Sequence, residues 1–337
     1  MAEKLGAAVI GLGMMGDRHA AIWAESQATD LVSVYDIIPE RTQEIAGQLG
    51  CEGAHSLKAA INRPDVQIVS ICTDDGNHVE PCQVAAAAGK HILLEKPLAT
   101  SLADCDAIIS ACSAAGVKLM VGHVVRFDPR YALAQKAIAD GEIGEVIQVF
   151  ARRNNIVDSG RRIGPRTSVA YFLGVHDIDL MRWFIGAEAL KVHAEGVSKV
   201  LADIAAEDSI MALLRYDSGA IGCLETCWVM PTGIPCTLDA RIEVIGTEGM
   251  VRVTVGDEGC TVITPERATR PDVLYGPQML GQQAGALRTQ LDHFADCVLN
   301  DKEPLISPQD ARAAVEIAQA IHESLRSGAP AYIHGSA

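Results

Sequence analysis

The sequence predicts an α/β fold in two parts: an N-terminal doubly wound parallel sheet, then an α+β domain with a large, mostly antiparallel, open-faced sheet. Three observations carry this prediction. Short apolar runs alternate with helix-length segments through the first third of the chain, a glycine-rich turn joins the first run to the first helix, and beyond GEIGE (residues 141–145) strand-like runs succeed one another through turns.

The runs 7–10 (AAVI), 31–35 (LVSVY), 66–72 (VQIVSIC), 91–94 (HILL) and 117–121 (VKLMV) are rich in Val, Ile and Leu. That composition fits strands buried on both faces of a parallel sheet. Between them, 16–27, 39–49, 78–88 and 101–115 read as helices; Thr100 and Ser101 are N-cap candidates for the last, and Gly116 stops it. Helices of this length between strands imply right-handed crossovers and a doubly wound sheet. Asp128-Pro129 reads as the N-cap and first-turn proline of a helix running to about residue 139. Residues 145–154, 190–199, 208–216, 219–229, 238–246 and 249–255 read as strands of an antiparallel sheet joined by turns such as DSG and GTEG. Segments 279–299 and 308–327 return to helical periodicity. The expected division is 1–123 and 124–337, with the C-terminal helices able to pack back on the first domain.

At 337 residues the chain suits two domains. Lys+Arg 28 against Asp+Glu 43 leaves a net charge of −15, which opposes binding to nucleic acid or an anionic membrane and favours a small-molecule ligand. The start MAEKLGAAVIGLGMMG lacks the pattern of a secretory leader, and no apolar run is long enough to span a bilayer. A cytoplasmic protein is expected, its ten scattered cysteines reduced. Cys223 and Cys227 are the closest pair, with no second Cys or His pair at ligand spacing, so no metal is expected.

The turn VIGLGMMG places Gly11, Gly13 and Gly16 as G-x-G-x-x-G, after a buried strand and at the opening of a helix: the dinucleotide-binding (Rossmann) fingerprint. The glycines permit a tight turn, close backbone approach to a pyrophosphate and close helix packing, while the helix N-terminus supplies N–H donors. Met14 and Met15, between the last two glycines, join the expected cofactor contacts. Asp36 ends the second strand, 20 residues after Gly16, where a carboxylate accepts both ribose hydroxyl protons of NAD and repels the extra phosphate of NADP. Ile37 follows where an NADP site more often places Arg, so NAD is the expected cofactor.

Four further segments follow in order: ICTDDGNHVEPC (71–82), LLEKPLA (93–99), VGHVVRFDPRY (121–131) and GVHDIDLMRW (174–183). With IEVIGTEGMVRV and LDHFADCVLNDKEPLIS, they give a chain that resembles, nearly end to end, the glucose-fructose oxidoreductase, inositol dehydrogenase and rhizopine catabolism (Gfo/Idh/MocA) family. The resemblance implies a Rossmann domain followed by an α/β domain whose open sheet often packs on another subunit, hence a homodimer or homotetramer. It also implies NAD(P)-linked oxidation or reduction of one hydroxyl of a sugar or cyclitol. By the same resemblance Lys96 is a catalytic or substrate-orienting lysine and Pro97 matches a proline that is often cis. Glu95 lies beside the nicotinamide ribose, Thr73 and His78 are cofactor-side positions, and Arg126 is near nicotinamide or substrate, with His123 among the substrate-side candidates.

Oxidising a secondary alcohol requires a hydride acceptor and a base for the hydroxyl proton. A lysine at the carboxyl edge of a parallel sheet is placed for that second task. The resemblance makes His176 the residue that reaches the reacting hydroxyl, with an aspartate usual four residues earlier; here that position is Phe172. On a helix His176, Asp179, Leu180 and Trp183 share a face, so Asp179 can orient the ring while Asp177 points elsewhere. The segment ARRNNIVDSGRRIGPRT carries Arg152, Arg153, Arg161, Arg162 and Arg166, which either hold an anionic group of the substrate, Arg153 and Arg162 foremost, or stay solvated or paired with a neighbouring subunit. Asn154 and Asn155 are candidates for bonding sugar hydroxyls. Two rivals to a dehydrogenase stay open: an epimerase or glycoside-cleaving enzyme that uses NAD transiently through a keto intermediate, and a catalytically silent NAD/sugar sensor.

Overall fold

A computed structural model describes residues 4–256 and 259–333. The chain forms two compact units, Met1–Phe127 with Leu274–Arg312, and Asp128–Val273 with Ala313–Ala337.

The first unit opens with β1 (Leu5–Ile10), α1 (Met14–Glu25), β2 (Thr29–Tyr35), α2 (Pro39–Leu49), β3 (Glu52–Gly53) and α3 (Leu57–Ile61). It continues through β4 (Ile68–Ile71), α4 (Val79–Ala87), β5 (His91–Leu94), α5 (Leu102–Ala115) and β6 (Leu119–Val121). The strands form one parallel sheet in the order β3-β2-β1-β4-β5-β6. Ala7, Val9, Ile68, Val69, Ile92, Leu93 and Val121 are wholly buried, which is why these strands read as unbroken apolar runs. β3 and α3 escape a periodicity reading because two and five residues are too few to repeat the pattern; only Ser56, whose hydroxyl caps α3 at Ala59 N, marks the latter. The chain leaves β1 toward β2 on one side and returns to β4 on the other, so the carboxyl ends of β1 and β4 form the switch point where such sheets bind ligands.

The second unit contains α6 (Pro129–Ala139), β7 (Val146–Ile156), α7 (Val157–Ile163), a π-turn at Ala170–Gly174 running into α8 (Val175–Ile185), β8 (Ala189–Val197), β9 (Ser209–Tyr216), β10 (Ile221–Met230), β11 (Leu238–Gly246) and β12 (Met250–Val255). Asp128 caps α6 by accepting from Arg130 N at 2.9 Å. The short pairs β13 (Val262–Ile263) with β14 (Ala268–Thr269) and β15 (Gln278–Met279) with β16 (Gln282–Gln283) precede α9 (Gly285–Leu299), α10 (Pro308–Ser327) and β17 (Ala331–Tyr332). The main sheet runs β12-β11-β7-β10-β9-β8-β17. Five of its pairings are antiparallel and one is not: β7 and β10 are parallel neighbours, because the helical excursion through α7 and α8 and the β8–β9 hairpin bring the chain back beside β7 in the same sense. Alternate residues of β9 are buried and exposed, so one face is covered and the other open.

One expectation is corrected. The segment 279–299 is helical only from Gly285, because Leu280 and Gly281 both take positive φ (53° and 80°) and turn the chain into the β15–β16 hairpin. The arginine-bearing segment 152–166 is the end of β7 followed by α7 and the turn after it.

Candidate active site

At the carboxyl end of β1 the chain must turn into α1 within the space left by the crossing strands. Gly11 takes φ +84°, and a Cβ there would lie 2.8 Å from backbone atoms of Cys72 and Thr73. A Cβ on Gly16 would lie 1.8 Å from the Gly11 carbonyl oxygen, so only glycine lets helix and turn close on each other. Gly13 differs: a Cβ there would meet nothing within 4 Å, and as N-cap of α1 it offers no side chain to the first-turn N–H groups. An uncapped helix start facing open space fits the pyrophosphate of a dinucleotide. Met14 is exposed on that rim, and Met15 Sδ lies 3.6 Å from the Tyr275 hydroxyl. Asp36 is fixed at the end of β2 by accepting from Leu12 N (2.6 Å) and Ile38 N (2.9 Å), one bond to each oxygen, which leaves acceptor capacity for a ribose. Ile37, beside it, is 85% exposed.

The ends of β4, β5 and β6 bring the remaining first-unit residues to the same carboxyl edge. Thr73 donates to Asn77 O at 3.1 Å and so closes the turn after β4. His78 is buried, its ring nitrogens each 3.2 Å from a carbonyl oxygen, of Leu98 and of Thr73. It therefore braces the Thr73 turn against the segment after β5. The Lys96–Pro97 peptide is cis, as the resemblance implies. Lys96 is half-buried, and its backbone N–H reaches Glu95 Oε2 at 3.3 Å. Burial pushes the Glu95 carboxyl up, but the His19 ring, whose Nε2 lies 3.2 Å from Oε1, and the charge of Lys96 hold it below the ordinary carboxylate range. His123 and Arg126 are buried just after β6, with the Arg126 guanidinium 3.6 Å from Asp310.

In the second unit His176 is the second residue of α8 and is half-buried, while Asp177 and Asp179 are 1% exposed. Asp177 accepts two bonds from Arg153 of β7, to Nε at 3.0 Å and Nη2 at 2.8 Å, and Nη2 also reaches the Tyr131 hydroxyl at 3.4 Å. Burial works to lower the pKa of Arg153, but Asp177 and Tyr131 raise it, so the guanidinium stays charged. This bidentate pair pins the start of α8 to the sheet. Preceding it, the π-turn at Ala170–Gly174 carries Phe172. The Phe172 ring lies 6.3 Å from the fully buried Trp228 ring, tilted by 34°.

Two substrate expectations are corrected. Arg153 is buried and its charge is committed to Asp177, so it supports the His176 helix rather than meeting an anion. Asn154, one residue on, points to the opposite face of β7 and donates to Glu225 at 2.8 Å. Arg162 lies exposed on α7. The sequence reading missed Tyr131 and Arg153 as supports of α8, because nothing local marks a pair separated by 24 residues. It also missed His19, although a histidine three residues after Gly16, within an apolar helix face, was a visible signal.

A parallel sheet with a glycine turn at its switch point, an acid at the end of β2 and a second unit with a mostly antiparallel sheet define an NAD-binding oxidoreductase. The chain belongs to the Gfo/Idh/MocA oxidoreductase family: its NAD-binding Rossmann fold matches residues 5–123, and its C-terminal alpha/beta domain matches residues 135–333. The chain is 32% identical to scyllo-inositol 2-dehydrogenase (NAD(+)) of Bacillus subtilis strain 168, over 98% of this chain and 96% of that protein. Myo-inositol 2-dehydrogenase of Thermotoga maritima is 29% identical, with 94% and 95% covered. The crystal structure of GenD2, from gentamicin A biosynthesis, in complex with NAD superposes with a TM-score of 0.86 at 27% identity, with 99% of this chain and 98% of that one covered.

Proposed function

We propose that the protein is an NAD-dependent dehydrogenase that oxidises or reduces a secondary hydroxyl of a cyclitol or sugar. The observation that carries the reading is Lys96, half-buried at the carboxyl end of β5 and coupled through its own N–H to an ionised, buried Glu95. Full-length similarity to inositol dehydrogenases supports the substrate class. When bound, NAD supplies the hydride acceptor. The N–H groups of Gly13, Met14, Met15 and Gly16 bind the pyrophosphate, Asp36 takes the ribose hydroxyls, and Thr73, Glu95 and Arg126 line the nicotinamide end. Lys96 and His176 handle the hydroxyl proton, each as base or relay; Asp179 orients the His176 ring. Phe172, packed against Trp228, presents an apolar wall and favours a substrate with fewer hydroxyls, or a substituent, on that side. His123 and Arg162 are the remaining substrate-side residues in this reading.

The first unit thus serves as the cofactor domain and the second as substrate and oligomerisation domain. Exposed Met211, Leu213 and Ile221 on the open sheet face support a homodimer or homotetramer, and ten free thiols support a reducing, cytoplasmic setting. A panel of inositols, aldoses and sugar acids, assayed with NAD for NADH formation, tests the reading. Turnover of at least one cyclitol or sugar with stoichiometric NADH is expected. Conversion without net NADH returns the epimerase or glycoside-cleaving reading, and binding without conversion returns the sensor.

A further inference from the structure

Beneath the candidate nicotinamide end, four polar side chains stand in line in an otherwise apolar core. Trp23 and His19 come from α1, Ser70 from β4 and Glu95 from the end of β5. The first three are wholly buried and Glu95 is 7% exposed. Trp23 Nε1 donates to Ser70 Oγ at 2.8 Å; Ser70 Oγ lies 3.2 Å from His19 Nδ1, and His19 Nε2 lies 3.2 Å from Glu95 Oε1. The inventory of donors gives this line a direction. An indole N–H can only donate, so the serine oxygen is an acceptor there and its own proton is available to His19 Nδ1. Were Nδ1 protonated, two N–H groups would converge on one hydroxyl and the buried serine proton would go unmatched, at the cost of an unmade hydrogen bond. An ionised carboxylate can only accept, so Nε2 is the nitrogen that carries hydrogen.

We propose that His19 is a positioning residue: the chain Trp23 to Ser70 to His19 to Glu95 locks its ring as the Nε2–H tautomer and thereby fixes the carboxylate on which the Lys96 backbone rests. Glu95 is held from three sides. His19 Nε2 stands 3.2 Å from Oε1, the Lys96 N–H meets Oε2, and Gly122 backs the carboxylate so closely that a Cβ there would stand 3.1 Å from Oε1. His19 lies one turn beyond Gly16, so the helix whose N-terminus receives the pyrophosphate also carries the group that sets Glu95. The inference rests on the reading of Glu95 and Lys96 as residues of the nicotinamide end.

Two measurements test it, the first on apoprotein. With ring-labelled histidine, the 15N shifts of His19 are expected to show an unprotonated Nδ1 and a protonated Nε2 near neutral pH; a protonated Nδ1 overturns the directed chain. Second, NADH affinity, by fluorescence titration, and kcat and KM are compared in His19→Leu, which keeps bulk and loses the donor, and His19→Gln, which restores a donor near the Nε2 position. The leucine variant is expected to bind NADH more weakly and to lose about tenfold to a hundredfold in kcat, the worth of one hydrogen bond to a charged group, with KM for the hydroxyl substrate nearly unchanged. The glutamine variant should recover most of both losses. Equal defects in both variants, with equal loss of thermal stability, overturn the proposal in favour of packing alone. If His19→Leu does not fold, the tautomer and the behaviour of His19→Gln still decide. If no polyol is oxidised, the dehydrogenase reading fails while the tautomer and NADH affinities continue to judge His19.

Discussion

At the carboxyl end of β1 the groups that face a ligand belong to the backbone, exposed by Gly13 and shaped by Gly11 and Gly16. On α8 the groups proposed to act are side chains, with His176 held in place through the buried Arg153–Asp177 pair and the Tyr131 hydroxyl. A backbone site is specified locally, since it needs residues that leave room and permit a positive φ. A side-chain site is specified by what lies behind it, and those partners come from distant strands and helices. The two halves should therefore respond differently to substitution. Changes at the second should alter turnover or the stability of α8 while leaving nucleotide binding intact.

The largest effect separates the halves directly. Lys96→Ala and His176→Ala should each lower kcat about 100- to 10,000-fold, the usual contribution of a general base. For His176→Ala the NADH dissociation constant should stay near the wild-type value; a comparable loss of NADH affinity would break the comparison. Next comes the support of α8. Asp177→Asn leaves Arg153 charged and buried against a neutral partner, and should cost about 3–5 kcal/mol of stability in denaturant unfolding. A cost near that of a surface substitution would show that the pair does not hold the helix.

A smaller effect sharpens the cofactor half. Efficiency with NAD should exceed that with NADP by at least about tenfold, a step of roughly 1.4 kcal/mol. Asp36→Ser combined with Ile37→Arg should narrow or reverse that ratio, and equal efficiencies in the wild-type protein would contradict the role given to Asp36. The smallest effect concerns pH. Burial opposes ionisation of Glu95, yet His19 and Lys96 hold its pKa below the usual value of about 4.3. The stability it contributes is therefore complete above the unfolded pKa and is lost as pH falls through the folded one. Glu95→Gln should flatten that acid limb in thermal unfolding.

The same contrast explains what could be read from the sequence. The strands of the first sheet, the glycine turn, Asp36 and helices such as Pro39–Leu49 and Pro308–Ser327 were legible because burial pattern and φ requirements are written in neighbouring residues. The mostly antiparallel second sheet was legible too, but the parallel pairing of β7 with β10 was not, since direction depends on a long excursion between them. Arg153 was misread because its partner, Asp177, looked like a residue pointing away from function. The π-turn that carries Phe172 was not legible, since no local composition marks it.

Net transfer of hydrogen from a carbinol carbon to NAD is followed directly by isotope labelling. The best cyclitol or sugar from the panel is deuterated at its reacting carbon and turned over with NAD. Deuterium should leave the substrate and be recovered in released NADH, one atom per ketone formed. Deuterium retained in a product that is not a ketone, with no labelled NADH released, would contradict the account.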